Sequence, residues 1–174
     1  MHHLENEEHK YQTPPAICDY MVSLIPAGAK TVLEPTPDVG NLVRALESSG
    51  KYEITAPEDY FKLAKNTRYD CIVMNPPFSS KYAFGVPEGL EEKGMKLGYK
   101  ILRECMELSD HVIALMPWFT ISDSDVRLRE LTAYGLRSIT ALPRKTFNYI
   151  RIQTMVLELE KGYSGETTFK TIKL

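Results

Sequence analysis

Residues 69–78 read Tyr-Asp-Cys-Ile-Val-Met-Asn-Pro-Pro-Phe, an apolar run closed by two prolines. Positions 71–74 are apolar without alternation, which predicts a strand buried on both faces, as the central strands of parallel sheets are. Pro76 and Pro77 fix φ and lack an amide hydrogen, so the strand must stop near Asn75. The stop leaves chemistry at its end. The Pro76 carbonyl is one acceptor, the side-chain oxygen of Asn75 is a second, and Phe78 adds a flat apolar face. Two converging acceptors beside an aromatic plate fit a planar group that carries an NH2. Holding both amine hydrogens weakens conjugation into the ring and aims the lone pair at an electrophile.

Outward from this strand the pattern alternates. Residues 14–25 have helical spacing with Pro14 and Pro15 suited to the first turn. Residues 31–35 (TVLEP) read as a buried strand, 41–49 as a helix ended by Gly50, and 52–56 (YEITA) as a strand. After a Gly-, Pro- and charge-rich loop at 80–93, a helix is predicted from about 94 to 109 and a strand at 111–117. A helix near 123–134 ends at Gly135, and strand-like pieces follow at 136–143, 152–161 and within TTFKTIKL. This order predicts an α/β fold whose sheet is mostly parallel, with an antiparallel C-terminal edge. In such sheets the ligand crevice lies beyond the strand carboxyl ends, where the winding reverses.

With 174 residues, 43% hydrophobic and 25% charged, the chain has the composition of one soluble globular domain. Its apolar runs are far short of the ~20 residues of a membrane span, and the polar start MHHLENEEHK is no signal peptide. Cys18, Cys71 and Cys105 are widely spaced, which suits a reducing cytoplasm and excludes a disulfide scaffold or a structural zinc site. No metal motif is present, and His111 reads as structural. The net charge of −2 excludes a uniformly basic nucleic-acid binder but leaves room for a local basic face.

Asn75-Pro76-Pro77-Phe78 resembles motif IV, [DNS]PP[YFW], of the S-adenosylmethionine-dependent amino methyltransferases, which act on adenine N6, cytosine N4 or a protein glutamine. Tyr11-Gln12-Thr13-Pro14 is similar to the YxTP of motif X in the gamma class of DNA N6-adenine methyltransferases. Leu33-Glu34-Pro35-Thr36-Pro37-Asp38-Val39-Gly40-Asn41-Leu42 resembles motif I, the strand–loop–helix that wraps the cofactor. Glu58-Asp59-Tyr60 resembles motif III, whose acidic–aromatic pair holds the cofactor's adenine. Phe147 falls where the class places an aromatic between its last two strands, closing on a flipped base opposite Phe78.

The resemblance implies a Rossmann-like class I methyltransferase fold over residues 1–174, with a polar tail at 1–10 and a short β-like extension at 162–174. It implies S-adenosyl-L-methionine as cofactor, held by Tyr11, Thr13, Glu34, Pro35, Thr36, Asp38, Gly40, Asp59, Tyr60 and Asn75. Catalysis would fall to Asn75, Pro76, Pro77 and Phe78, with Phe78 and Phe147 stacking on adenine in DNA. Arg144, Lys145 and Arg151 flank Phe147 and suit phosphate contacts; the same region adds Arg127, Arg129 and Arg137 against Glu130 alone.

Two departures stand out. Asp38 replaces the first glycine of motif I; Asp tolerates positive φ, but its charge would sit near the cofactor's carboxylate. The stretch from Glu34 to Asp59 is too short for the strand–helix unit the family fits there, so one unit is expected to be missing, and the ribose acid is either Glu58 or Asp59. A target-recognition domain is not expected, which implies little sequence readout or a specificity partner. Small solitary enzymes of this design resemble those of phages and mobile elements. The alternatives are a protein-glutamine methyltransferase and a non-catalytic subunit that binds DNA or a partner.

Overall fold

Pro14 precedes and Pro15 opens helix α1 (Pro15–Ser23) of the computed structural model, which describes residues 12–78, 96–147 and 152–173. Tyr11, the whole 80–93 loop and Arg151 lie outside those residues. Strand β1 (Thr31–Leu33) leads through a loop to α2 (Asn41–Ser49), which stops at Gly50 in the left-handed region. Then come β2 (Glu53–Thr55), β3 (Cys71–Met74), α3 (Leu97–Leu108) and β4 (His111–Pro117). A one-turn helix α4 (Phe119–Ser122) and α5 (Asp125–Tyr134) precede β5 (Leu136–Ala141), β6 (Thr154–Glu160) and β7 (Thr168–Thr171).

The strands form one seven-stranded sheet in the order β2-β1-β3-β4-β6-β5-β7. β2, β1, β3 and β4 run parallel; β6 is antiparallel to both β4 and β5, and β7 joins β5 in parallel. The sheet is thus mostly parallel with its antiparallel pairing on the C-terminal side, as expected. Every residue of β3 is buried, as its unbroken apolar run predicts. The short Glu34–Asp59 stretch also has its expected consequence: β2 lies directly beside β1, with Val32 opposite Ile54. Between β2 and β3 the chain makes only a one-turn 3-10 helix, Tyr60–Lys62.

Apolar clusters cover both faces. On one, α3 packs Leu97, Ile101, Leu102 and Cys105 against Leu33, Ile72, Met74 and Met116. On the other, α1 and α2 supply Ile17, Met21, Leu42 and Leu46 against Val32, Val73, Ile113 and Val156. All three cysteines are buried and unpaired; burial pushes the Cys18 and Cys71 thiols up to about 12, so neither is a nucleophile near neutrality. No helix among the described residues is long and apolar enough to cross a membrane.

Candidate active site

From β1 the chain passes to β2 on one side, and β3 and β4 lie on the other, so the winding reverses between β1 and β3. Helices cover both faces there, and in sheets wound this way the ligand crevice lies beyond the strand carboxyl ends. Glu34 follows β1 and Asn75 follows β3, so both border it. Because β5 runs parallel to β4, the segment after β5 that carries Arg144, Lys145 and Phe147 emerges at the same end.

Thr13 ties the crevice together. Its side chain is buried, and the hydroxyl accepts from Asn75 Nδ2 at 3.0 Å. Its carbonyl accepts from Asn41 Nδ2 at 2.9 Å. The Thr36 hydroxyl donates to the Asn75 carbonyl at 3.4 Å. Three segments distant in sequence are therefore bonded around Asn75. Pro76 is buried, while Asn75, Pro77 and Phe78 are partly exposed.

The loop after β1 is tightly wound. Asp38 adopts φ +49°, the left-handed conformation its side chain tolerates, and accepts a hydrogen bond from Gln12 Nε2. Gly40 follows at φ +87° and caps α2. Pro35 is buried behind the loop. Glu34 is only 1% exposed, with Oε1 accepting from the Thr36 amide at 2.9 Å. Burial raises its carboxyl to about 8, more than the Thr36 amide lowers it.

Asp59 and Tyr60 take up a different arrangement. Asp59 caps the 3-10 turn, accepting from the Phe61 amide at 3.0 Å, with Lys62 at 3.5 Å. The Tyr60 ring is 5% exposed within the α3-side core, and its hydroxyl donates to Glu104. Lys65 sits 4.5 Å from the ring centroid and also pairs with Glu104. The turn that replaces the lost unit is thus bolted to α3 through Tyr60.

Phe147 is 9% exposed and belongs to the α1/α2-side cluster, against which Phe78 also packs. The two rings proposed to flank a base share one cluster. Arg144 and Lys145 are exposed on a turn closed by the Thr146 amide to the Pro143 carbonyl at 2.9 Å. Two other basic residues of that region serve the fold: Arg127 binds the carbonyls of Phe119 and Thr120, each at 2.7 Å, and Arg137 pairs with Glu158 and Glu160.

The structure adds a residue that the sequence reading missed. A Cβ built on Gly98 would lie 3.2 Å from both Phe78 Cα and the Pro77 carbonyl oxygen, so α3 approaches the double-proline turn backbone to backbone. Its signal was an isolated glycine inside a helical pattern. Among the described residues no group of His, Cys, Asp and Glu could hold a metal ion.

No protein-family model matches the chain, and no curated protein sequence does. Solved structures do. A type I restriction-modification methyltransferase subunit from Streptococcus thermophilus superposes with a TM-score of 0.72 at 15% identity, covering 93% of this chain and 47% of its own. A candidate class I S-adenosylmethionine-dependent methyltransferase from Listeria monocytogenes gives 0.68 at 17% identity, covering 97% and 69%. The modification subunit of a candidate type I restriction enzyme from Vibrio vulnificus gives 0.66 at 19%, covering 94% and 47%. The chain spans about half the length of the two restriction-modification subunits. At these identities the likeness is one of fold, and the fold is the Rossmann-like class I methyltransferase fold.

Proposed function

We propose that this chain is a methyltransferase domain that moves a methyl group from S-adenosyl-L-methionine to the N6 amine of adenine in DNA. The observation that carries the reading is the setting of Asn75. It follows β3 at the switch point, has Nδ2 held by Thr13, and precedes two prolines that present a carbonyl acceptor. With Nδ2 donating, Asn75 offers Oδ1 as its acceptor. Oδ1 and the Pro76 carbonyl would take the two amine hydrogens while Phe78 and Phe147 hold the base from opposite sides.

The loop from Glu34 to Asn41 suits the cofactor's charges. Glu34 offers a buried carboxyl to a cation, and the first amides of α2 offer donors to a carboxylate. Bound there, S-adenosylmethionine supplies an electrophilic methyl group. Thr13, Pro35, Thr36, Asp38 and Gly40 shape the cradle, with Tyr11 continuing it. Asp59 would border the adenosine, and Tyr60 holds that turn in place. Arg144, Lys145 and Arg151 would meet DNA phosphates. Restriction-modification subunits among the structural neighbours support DNA as substrate and a specificity subunit as a partner.

The test is tritium transfer from labelled S-adenosylmethionine. The reading requires label in DNA as N6-methyladenine, absent with Asn75→Ala. Label in protein would favour glutamine methylation, and saturable cofactor binding without transfer would favour a non-catalytic subunit.

A further inference from the structure

A cavity of about 440 Å³ opens beside Phe78, with neither Arg144 nor Lys145 in its lining, and its walls combine two chemistries. The floor is apolar: Phe78, Met116, Pro117 and Phe119. The lining is also cationic: Lys96, the N-cap of α3, Lys100 and Arg103 within α3, and Arg127 on α5. Counted from the N-cap, Lys96, Lys100 and Arg103 stand at i, i+4 and i+7, which places them on one face of the helix. Like charges at that spacing repel, so the stripe weakens the helix that carries it. In a chain of net charge −2 it is a local concentration of charge rather than a sample of the whole surface.

The carboxylates nearby offset only part of it, Glu104 feeling the charge of Lys100. Glu130 lies 3.7 Å from Arg103 and also accepts from the Tyr99 hydroxyl, while Asp123 pairs with Arg127. Arg127 is further held by two carbonyls of α4, so it is a fixed element of the lining. Lys96 and Arg103 are exposed. A row of cations above an apolar, aromatic floor complements a strand that alternates phosphates with planar bases. Phe78 belongs to both this cavity and the double-proline turn, so a strand lying here would lead straight to the acceptor pair.

We infer that the α3 stripe of Lys96, Lys100 and Arg103 is a phosphate track that carries the substrate DNA strand through this cavity to Asn75. The inference rests on the DNA reading above and extends it to cations other than Arg144 and Lys145. None of the three residues was marked by the sequence reading, because they come from a helix whose partners in the cavity only the fold supplies.

The experiment is duplex-DNA binding by the full chain at several salt concentrations, with S-adenosylmethionine affinity measured alongside. Lys96→Gln combined with Arg103→Gln should weaken binding about tenfold at low salt. It should shallow the slope of log affinity against log salt by about 1.8, at ~0.9 for each phosphate contact. Cofactor affinity should stay within twofold, and the charge-retaining pair Lys96→Arg with Arg103→Lys should bind as the parent does. An unchanged slope in the glutamine pair, with the parent binding DNA normally, overturns the track and leaves the DNA reading standing. Equal loss in both pairs also overturns it, since charge would not be the cause. A parent chain that binds no duplex overturns the DNA reading and the track together.

Discussion

Asn75 Nδ2 donates to the hydroxyl of Thr13 at 3.0 Å, joining residues 62 positions apart in the chain. The bond fixes the orientation of the amide, with Nδ2 toward Thr13. Asn75→Ala should therefore abolish methyl transfer, at a cost on the order of 3 kcal/mol or more in the transition state, with cofactor binding within a few-fold. Thr13→Val keeps the volume and removes the acceptor, so turnover should fall about tenfold, near 1.4 kcal/mol, and Thr13→Ser should restore it. Single-turnover kinetics decide the matter. Full activity in Thr13→Val would mean that the amide orientation is set elsewhere.

Glu34 makes the crevice sensitive to pH. Burial raises its carboxyl from 4.5 to about 8, so the folded chain binds a proton that the unfolded chain has already released. Stability attributable to this group should therefore fall as pH rises from about 4.5 to 8, by about 1.4 kcal/mol per pH unit, and level off above. Glu34→Gln should flatten that part of the profile. Cofactor binding should release the proton, because a cation favours the ionised carboxyl. Calorimetry at pH 7 in buffers of different ionisation enthalpy measures the release directly, and a value of zero would remove Glu34 from the contact.

Most of the fold was legible because local signals agreed with one another. The prolines at 14–15 and 76–77 and the glycines at 50 and 135 punctuate the chain where the structure changes element. The lost strand–helix unit was readable as simple shortage of chain. What escaped was what depends on meeting across the sheet. Tyr60 reads as half of an acidic–aromatic pair, but its hydroxyl serves Glu104 of α3, a partner 44 positions away. Arg137 reads as part of a basic face, yet the fold pairs it with Glu158 and Glu160, carboxylates more than 20 positions away.

The Phe78 and Phe147 rings differ in burial and should respond differently to truncation. Phe78→Ala should reduce capture of an extruded base by about 1–3 kcal/mol. Phe147 is 9% exposed, so Phe147→Leu, which conserves packing, is the fairer test of stacking there. 2-Aminopurine at the target position reports extrusion as fluorescence enhancement. Both variants should lower it, and persistence of the full signal with both rings removed would reject the stacking arrangement.

Asp38 holds a left-handed turn at φ +49° beside the N-terminus of α2, where an approaching carboxylate would meet its charge. Asp38→Gly relieves the backbone and removes that charge. Cofactor affinity measured by calorimetry should rise a few-fold. Weaker binding would instead make Asp38 a ligand for the ammonium group.

Gly98 sits in the first turn of α3, where alanine would ordinarily stabilise a helix by roughly 1 kcal/mol. Here an added Cβ would stand 3.2 Å from Phe78 Cα and from the Pro77 oxygen, closer than backbone atoms tolerate without moving. The Gly98 amide also donates to the Phe78 carbonyl at 3.4 Å, so the helix and the double-proline turn are joined by a backbone hydrogen bond. Gly98→Ala should shift that turn by a few tenths of an ångström, and the acceptor pair at Asn75 and Pro76 would move with it. Turnover depends on that alignment far more steeply than binding does, so kcat should fall about tenfold or more. Cofactor affinity should stay within twofold, and the melting temperature should hold or rise. A merely structural role predicts the reverse, lost stability with kcat intact. Parental kcat in Gly98→Ala would show that the turn is positioned without the helix.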